Sequence, residues 1–83
     1  MPKITLYTRK SCPLCDKAKT AILALKKEID FSLEEIDIET SDILTEEYGL
    51  MIPVVLIDGE EAGFGLINKF DISERLQRKS QTL

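Results

Sequence analysis

The segment Lys3-Ile4-Thr5-Leu6-Tyr7-Thr8-Arg9-Lys10-Ser11-Cys12-Pro13-Leu14-Cys15 contains a strand, a polar turn and the start of a helix. Residues Lys3 to Tyr7 alternate in polarity, with Ile4 and Leu6 on one face, which predicts a half-buried strand. After the polar turn, Ser11 is a suitable helix cap and Pro13 stands where proline commonly opens a helix. We therefore expect Cys12 and Cys15 in the first turn of a helix that follows a strand.

The next residues complete a β-α-β unit. The helix is predicted to run to about Glu28, because apolar residues recur at helical spacing: Leu14, Ala18, Ala21, Ile22, Leu25 and Ile29. The residues from Phe31 to Ile38 alternate again, apart from a slip at Glu34-Glu35, and predict a second strand. Because a helix connects the two strands, the second should run parallel to the first.

Residues 40–64 predict a short helix followed by a hairpin. Either Thr40 or Ser41 can cap the helix, which is expected to cover the sheet, and Gly49 is expected to end it in a left-handed conformation. Its apolar residues are Ile43, Leu44 and Tyr48. The apolar run from Val54 to Ile57 predicts a buried strand, which the turn pair Asp58-Gly59 connects to a return strand from Glu60 to Phe64.

A terminal helix follows the hairpin. Asp71-Ile72-Ser73-Glu74 resembles a capping box with Asp71 as the cap, and the helix continues through Ile72, Arg75, Leu76 and Lys79. The element order is therefore βαβ-α-ββ-α. This order predicts an α/β fold in which helices flank a four-stranded mixed sheet.

The composition is that of a small globular domain. The chain has 83 residues, of which 43% are hydrophobic and 31% charged, so residues 1–83 are expected to form one domain. The residues before the first strand do not resemble an export signal, and no apolar run approaches the ~20 residues of a membrane helix. We expect a soluble, cytoplasmic protein without a membrane partner, acting as a monomer.

The charges are unevenly distributed along the chain. Between Glu28 and Asn68 there are twelve acidic residues and no lysine or arginine, and the net charge of the whole chain is −4. Basic residues cluster near the cysteines, but they are too sparse for a nucleic-acid interface. No nucleic-acid partner is expected, and the acidic segment can be an ordinary solvated surface.

The Cys-x-x-Cys spacing favours thiol chemistry. A thiolate at Cys12 would be stabilised by the N-terminus of the helix and by nearby Arg9 and Lys10. Cys15 lies one turn deeper, so Cys12 is expected to attack a substrate disulfide and Cys15 to resolve the mixed disulfide. Pro13 removes one N–H from the first turn and so influences the stability of the closed disulfide.

Other interpretations of the cysteines remain open at this point. Both can be ordinary packed cysteines. A structural zinc site would lack two ligands, and the chain contains no histidine to supply them, so no metal or cofactor is assigned. Two further alternatives are an iron–sulfur or metal carrier that uses Cys12, with glutathione thiols completing the ligands, and a redox-silent interaction domain.

Pro53 precedes a buried strand, where proline is unusual. It can simply be a proline at the start of a strand. Alternatively, the Ile52-Pro53 peptide bond is cis, turns the chain beside the cysteines and leaves the backbone of Ile52 to pair with an extended substrate.

Several segments together resemble the small glutaredoxin-like proteins of the thioredoxin superfamily. They are Thr5-Leu6-Tyr7-Thr8, Cys12-Pro13-Leu14-Cys15-Asp16, Tyr48-Gly49-Leu50-Met51-Ile52-Pro53-Val54 and Phe70-Asp71. The resemblance implies a thioredoxin-like fold, with Cys12 as the nucleophile, Cys15 as the resolving thiol and Pro53 as a cis-proline.

The sequence also departs from the glutaredoxins that use glutathione. Leu14 replaces the tyrosine of Cys-Pro-Tyr-Cys, Arg9 occupies a lysine position, and Gly63-Phe64-Gly65-Leu66 stands where Gly-Gly-x-Asp is expected. We therefore expect a thiol–disulfide oxidoreductase that reduces protein or glutathione mixed disulfides and takes electrons from glutathione or a reductase. The residues expected to contact the substrate are Arg9, Lys10, Pro13, Leu14, Ile52 and Pro53.

Overall fold

The computed structural model describes residues 2–81, and this part of the chain contains four strands and three α-helices. They are β1 (Lys3–Thr8), α1 (Pro13–Leu25), β2 (Ser32–Asp37), α2 (Asp42–Tyr48), β3 (Val54–Ile57), β4 (Glu60–Phe64) and α3 (Lys69–Gln81). The predicted element order is confirmed. A 3₁₀ turn at Ile38–Thr40 was not predicted, and residues 1, 82 and 83 of the predicted domain lie outside the described residues.

The four strands form one mixed sheet in the order β2-β1-β3-β4. β1 and β2 are parallel as predicted, whereas β3 is antiparallel to both β1 and β4. In register, Thr8 pairs with Asp37 on β2, and Tyr7 pairs with Val54 on β3. The ends of β1 and β2 and the start of β3 therefore lie together, at what we call the C-terminal edge of the sheet.

The hydrophobic core lies between one face of the sheet and the helices α1 and α3. Its buried residues are Ile4, Leu6, Ala18, Ile22, Leu25, Phe31, Val55, Ile57, Ile72 and Leu76. Most of these residues come from β1, β3 and the two helices. The apolar faces predicted for the helices and for the strands therefore pack against each other in this core. Full burial of each large aliphatic side chain contributes about 1.5–3 kcal/mol.

The second face of the sheet is covered less completely than predicted. α2 contains no buried residue, and Ile43 on it is 74% exposed. The helix reaches the sheet through Tyr48, whose ring stacks on Tyr7 at a centroid distance of 4.7 Å. At only seven residues, α2 is too short to span the sheet, and Phe64 of β4 remains 55% exposed.

Several predicted boundaries are corrected. α1 ends at Leu25, where residues 26–28 form a turn, and β2 is shorter than predicted by one residue at each end. Gly49 has a right-handed φ of −56°; a Cβ there would lie 2.5 Å from the Thr45 carbonyl oxygen, so close approach explains the glycine. Ser41, one of the two predicted caps, does cap α2 through a hydrogen bond from the Leu44 N–H.

The terminal helix begins two residues before the predicted cap. The Phe70 N–H donates to the side-chain oxygen of Asn68 at 2.7 Å, so Asn68 pairs one of the free N–H groups in the first turn of the helix. Asp71 lies inside the helix. Lys79 falls within the range of α3, as predicted. None of the helices in residues 2–81 is long and apolar enough to cross a bilayer.

Candidate functional site

Cys12 itself caps the helix α1. Its backbone is extended, with φ −115° and ψ 102°, and its sulfur accepts the Cys15 N–H at 3.2 Å. Pro13 follows as the first helical residue, where the missing N–H removes no helical hydrogen bond. The prediction that Ser11 is the cap is therefore wrong. Ser11 instead has a left-handed φ of 57°, which turns the chain immediately before Cys12.

The two cysteines form a disulfide with a Cα–Cα distance of 5.2 Å. Cys15 is 3% exposed, whereas Cys12 is only half-buried, so the two sulfurs differ in access to solvent as the helical spacing predicts. When the pair is reduced, the Cys15 N–H and the N-terminus of α1 favour a thiolate on Cys12. This arrangement can interconvert a dithiol and a disulfide.

Pro53 lies beside the cysteine loop at the C-terminal edge. It precedes Val54, the partner of Tyr7, and the Ile52-Pro53 peptide bond is cis. The Ile52 N–H donates to the Tyr48 carbonyl at 3.2 Å, so the sequence interpretation that left the whole Ile52 backbone free is corrected. Among the described residues, no backbone N–H donates to the Ile52 carbonyl.

A second loop holds this turn in place, and it belongs to the segment Gly63-Phe64-Gly65-Leu66, which was noted above only as a departure from the glutathione-using glutaredoxins. The Gly65 N–H donates to the carbonyl of Pro53 at 2.8 Å and to that of Met51 at 3.2 Å. Gly65 has a φ of +70°, a conformation that side chains rarely adopt. The available signal in the sequence was a glycine directly after the end of a predicted strand.

Arg9 and Lys10 lie in the loop between β1 and α1, and both are exposed. They line a depression of about 290 Å³ together with Thr8, Glu35 and Asp37. Its carboxylates already have partners, since Glu35 pairs with Lys19 at 3.1 Å and Asp37 accepts the Glu39 N–H at 2.9 Å. Within the described part of the chain, Arg9 and Lys10 form no ion pair or hydrogen bond.

Apolar side chains are also exposed around the site. Pro13 is exposed and Leu14, between the cysteines, is 40% exposed. Leu50 precedes Met51 and Leu66 follows Gly65, and the Gly65 N–H donates to the Met51 carbonyl. The two leucine side chains are 105% and 80% exposed. Neither leucine was predicted as a site residue, because a single apolar residue in a loop carries no periodic signal.

Tyr48 lies under the cis turn. Its carbonyl oxygen accepts the N–H groups of Met51 and Ile52, and its ring stacks on Tyr7. Burial, reinforced by the negative charge of Glu47, raises the pKa of Tyr48 above its usual value of 10.0. The phenol is therefore neutral across the physiological pH range.

Comparisons with known proteins agree with this geometry. Residues 3–80 match the family model described as glutaredoxin-like domain (DUF836). An uncharacterised protein of Mycobacterium tuberculosis is 26% identical over 84 residues, which cover 95% of this chain and 87% of the relative. A solved structure from X. campestris is 30% identical with a TM-score of 0.73, covering 90% of this chain and 96% of that one.

A more distant match supports the fold. A mutant thioredoxin from Halobacterium salinarum superposes with a TM-score of 0.75 at 17% identity, covering 99% of this chain and 77% of that one. This likeness shows the fold alone, and it confirms the predicted thioredoxin-like architecture. Taken with the cysteine pair at the N-terminus of α1, these matches support a redox role, and the chain belongs to the glutaredoxin-like domain family.

Proposed function

We propose that the protein is a thiol–disulfide oxidoreductase that reduces protein or glutathione mixed disulfides through Cys12 and Cys15. The observation that supports this most strongly is the pairing of a half-buried Cys12, capping α1, with a Cys15 that is 3% exposed. A substrate can reach the first sulfur, whereas the second is accessible mainly to the first.

The reaction has two exchange steps. The Cys12 thiolate attacks one sulfur of the substrate disulfide, that S–S bond breaks, and the leaving thiolate takes a proton from solvent. The Cys15 thiol then loses its proton and attacks the Cys12 sulfur, which releases the second substrate thiol. Two electrons have passed to the substrate, and the protein holds the Cys12–Cys15 disulfide.

The turn at Ile52 and Pro53 is proposed to align the substrate for the first step. The Ile52 carbonyl can accept a backbone N–H from an extended substrate that lies across Cys12. Pro13, Leu14, Arg9 and Lys10 are proposed to contact the substrate from the cysteine loop. The oxidised protein then requires an external thiol donor, either glutathione or a reductase, and no organic cofactor.

Cysteine variants test the proposal directly. The reduced protein should reduce a mixed disulfide between a peptide and glutathione. This activity should be lost in Cys12→Ser, because the remaining thiol, Cys15, is only 3% exposed. Cys15→Ser should form the mixed disulfide with Cys12 and turn over when glutathione is added. Equal loss in both variants would restrict the mechanism to the dithiol route.

The same preparations distinguish the alternatives. A visible absorption band after aerobic purification would favour an iron–sulfur carrier that uses Cys12. If both cysteines remain fully alkylatable in an oxidising glutathione buffer and no substrate is reduced, the oxidoreductase proposal is wrong and the redox-silent interaction domain is favoured.

A further inference from the structure

The C-terminal edge presents different chemistry on the two sides of Cys12. The strand order places the end of β2 on one side of β1, and the start of β3 and end of β4 on the other. Arg9 and Lys10 line the depression on the β2 side. Leu50 and Leu66 are exposed on the loops of the β3 and β4 side.

The β2 side offers unpaired positive charge. Glu35 and Asp37 line the same depression, but each already accepts a hydrogen bond from another group, Lys19 and the Glu39 N–H respectively. Arg9 and Lys10 are exposed and have no such partner among residues 2–81. The N-terminus of α1 adds partial positive charge at the same place. A single negative group is therefore complementary to this side.

The β4 side presents exposed apolar side chains on two loops that are hydrogen-bonded to each other. The two hydrogen bonds from the Gly65 N–H tie the loop of Leu66 to the loop of Leu50. Large apolar side chains that are this exposed, at 80% and 105%, commonly mark a binding surface when they occur together. The Ile52 carbonyl, with no backbone donor in the described residues, lies on the Leu50 loop.

We propose that the preferred substrate is a polypeptide with one acidic side chain and one apolar side chain on opposite sides of its reactive cysteine. The acidic group binds at Arg9 and Lys10, and the apolar group packs on Leu50 and Leu66. Three inter-strand spacings separate β2 from β4, or about 14 Å, which is the reach of about four residues of extended chain. This inference rests on the oxidoreductase function proposed above.

The charge distribution limits the partner to a local acidic group. The segment from Glu28 to Asn68 holds twelve acidic residues and no basic one. A strongly acidic partner is therefore repelled by the part of the protein surface that this segment forms. Of the two sides of Cys12, the side with the loop of Arg9 and Lys10 is complementary to a carboxylate. One aspartate or glutamate near the cysteine satisfies both conditions.

Defined peptides test the inference. Each peptide carries one cysteine as a mixed disulfide with mercaptoethanol, an aspartate two residues away on one side and a leucine two residues away on the other, made in both orders. Matched peptides replace aspartate with lysine, leucine with serine, or both flanking residues with serine. The reduced protein oxidises its dithiol to a disulfide as it releases peptide thiol and mercaptoethanol, and the second-order rate constant is measured at low ionic strength.

The faster of the two aspartate–leucine peptides should react about tenfold faster than its lysine counterpart, from surface charge pairs of ordinary strength. In R9Q/K10Q the preference should fall to about twofold, as it should in 0.5 M salt. K27E is the matched control, because it changes the net charge by the same amount just beyond the far end of α1. It should keep the preference.

The apolar side has its own matched pair. Leu66→Ser should lower the advantage of leucine over serine in the peptide, whereas Leu23→Ser, on the exposed side of α1, should leave it unchanged. Equal rates for all peptides, or faster reduction of the lysine peptides, would overturn the inference and leave the oxidoreductase function standing. Failure to reduce any of the peptides, the aspartate–leucine peptides included, would overturn both.

Discussion

Reduction of the Cys12–Cys15 disulfide should lower the free energy of unfolding by about 1 kcal/mol. The cysteines are three positions apart, and closing so short a loop raises the free energy of the unfolded chain by only about 2 kcal/mol. Reduction removes this contribution. In the reduced folded protein, a Cys12 thiolate at the N-terminus of α1 gains about 0.3–1 kcal/mol, which offsets part of the loss. Loop closure is the larger effect, so the oxidised form should be more stable.

This difference in stability shifts the reduction potential of the cysteine pair. By the thermodynamic cycle, a fold that stabilises the disulfide by about 1 kcal/mol lowers its reduction potential by about 20 mV relative to the unfolded chain. The folded protein is then the better reductant, in keeping with a function in disulfide reduction. Urea unfolding at pH 7, followed by circular dichroism with and without dithiothreitol, measures the difference.

Cys15→Ser is the control, because it cannot form the intramolecular disulfide and its unfolding should not depend on dithiothreitol. A reduced wild-type protein that is more stable than the oxidised one by 1 kcal/mol or more would refute the reasoning. It would show that stabilisation of the Cys12 thiolate exceeds loop closure, and that the fold favours oxidation of substrates.

Three further predictions concern stability. Gly49→Ala should destabilise the protein by about 1–3 kcal/mol in urea unfolding, because the new Cβ would lie 2.5 Å from the Thr45 carbonyl oxygen. Gly63→Ala is the control: its Cβ would meet only the flexible end of the Ile67 side chain at 3.4 Å, so this variant should lose less stability. Leu76→Ala, at a position with 0% exposure, should cost about 2–5 kcal/mol in the same assay, and a loss below 1 kcal/mol would contradict its place in the core. Because the pKa of Tyr48 is raised in the folded protein, the neutral phenol contributes to the free energy of unfolding fully below pH 10, and this contribution is lost as the pH rises through the folded pKa. Tyr48→Phe should therefore reduce the fall in the free energy of unfolding above pH 10.

The strands were the most predictable part of the fold. Val54–Ile57 and Glu60–Phe64 have the predicted bounds, because a continuous apolar run and a turn pair mark them locally. The asymmetry between Cys12 and Cys15 was also predictable, since it follows from helical spacing alone. The fold class follows from these elements taken in order, whereas the family rests on the resemblance of the quoted motifs and on the match to the family model.

Helix ends were less predictable, because several polar residues compete for the same unpaired N–H groups. Ser11 and Asp71 have suitable side chains, but the loop path places Cys12 and Asn68 at the caps. The role of the Gly65 loop was also unpredictable, because its two hydrogen bonds join segments that are distant in sequence from the cysteines. No local pattern records such contacts.

Both outer strands of the sheet carry adjacent exposed glutamates, Glu34-Glu35 on β2 and Glu60-Glu61 on β4. An outer strand presents unpaired backbone groups on which a second copy of the chain could add a strand. Two copies that approach in this way bring carboxylates of like charge together, which opposes pairing. We therefore expect these acidic residues to disfavour growth of the sheet into an intermolecular aggregate.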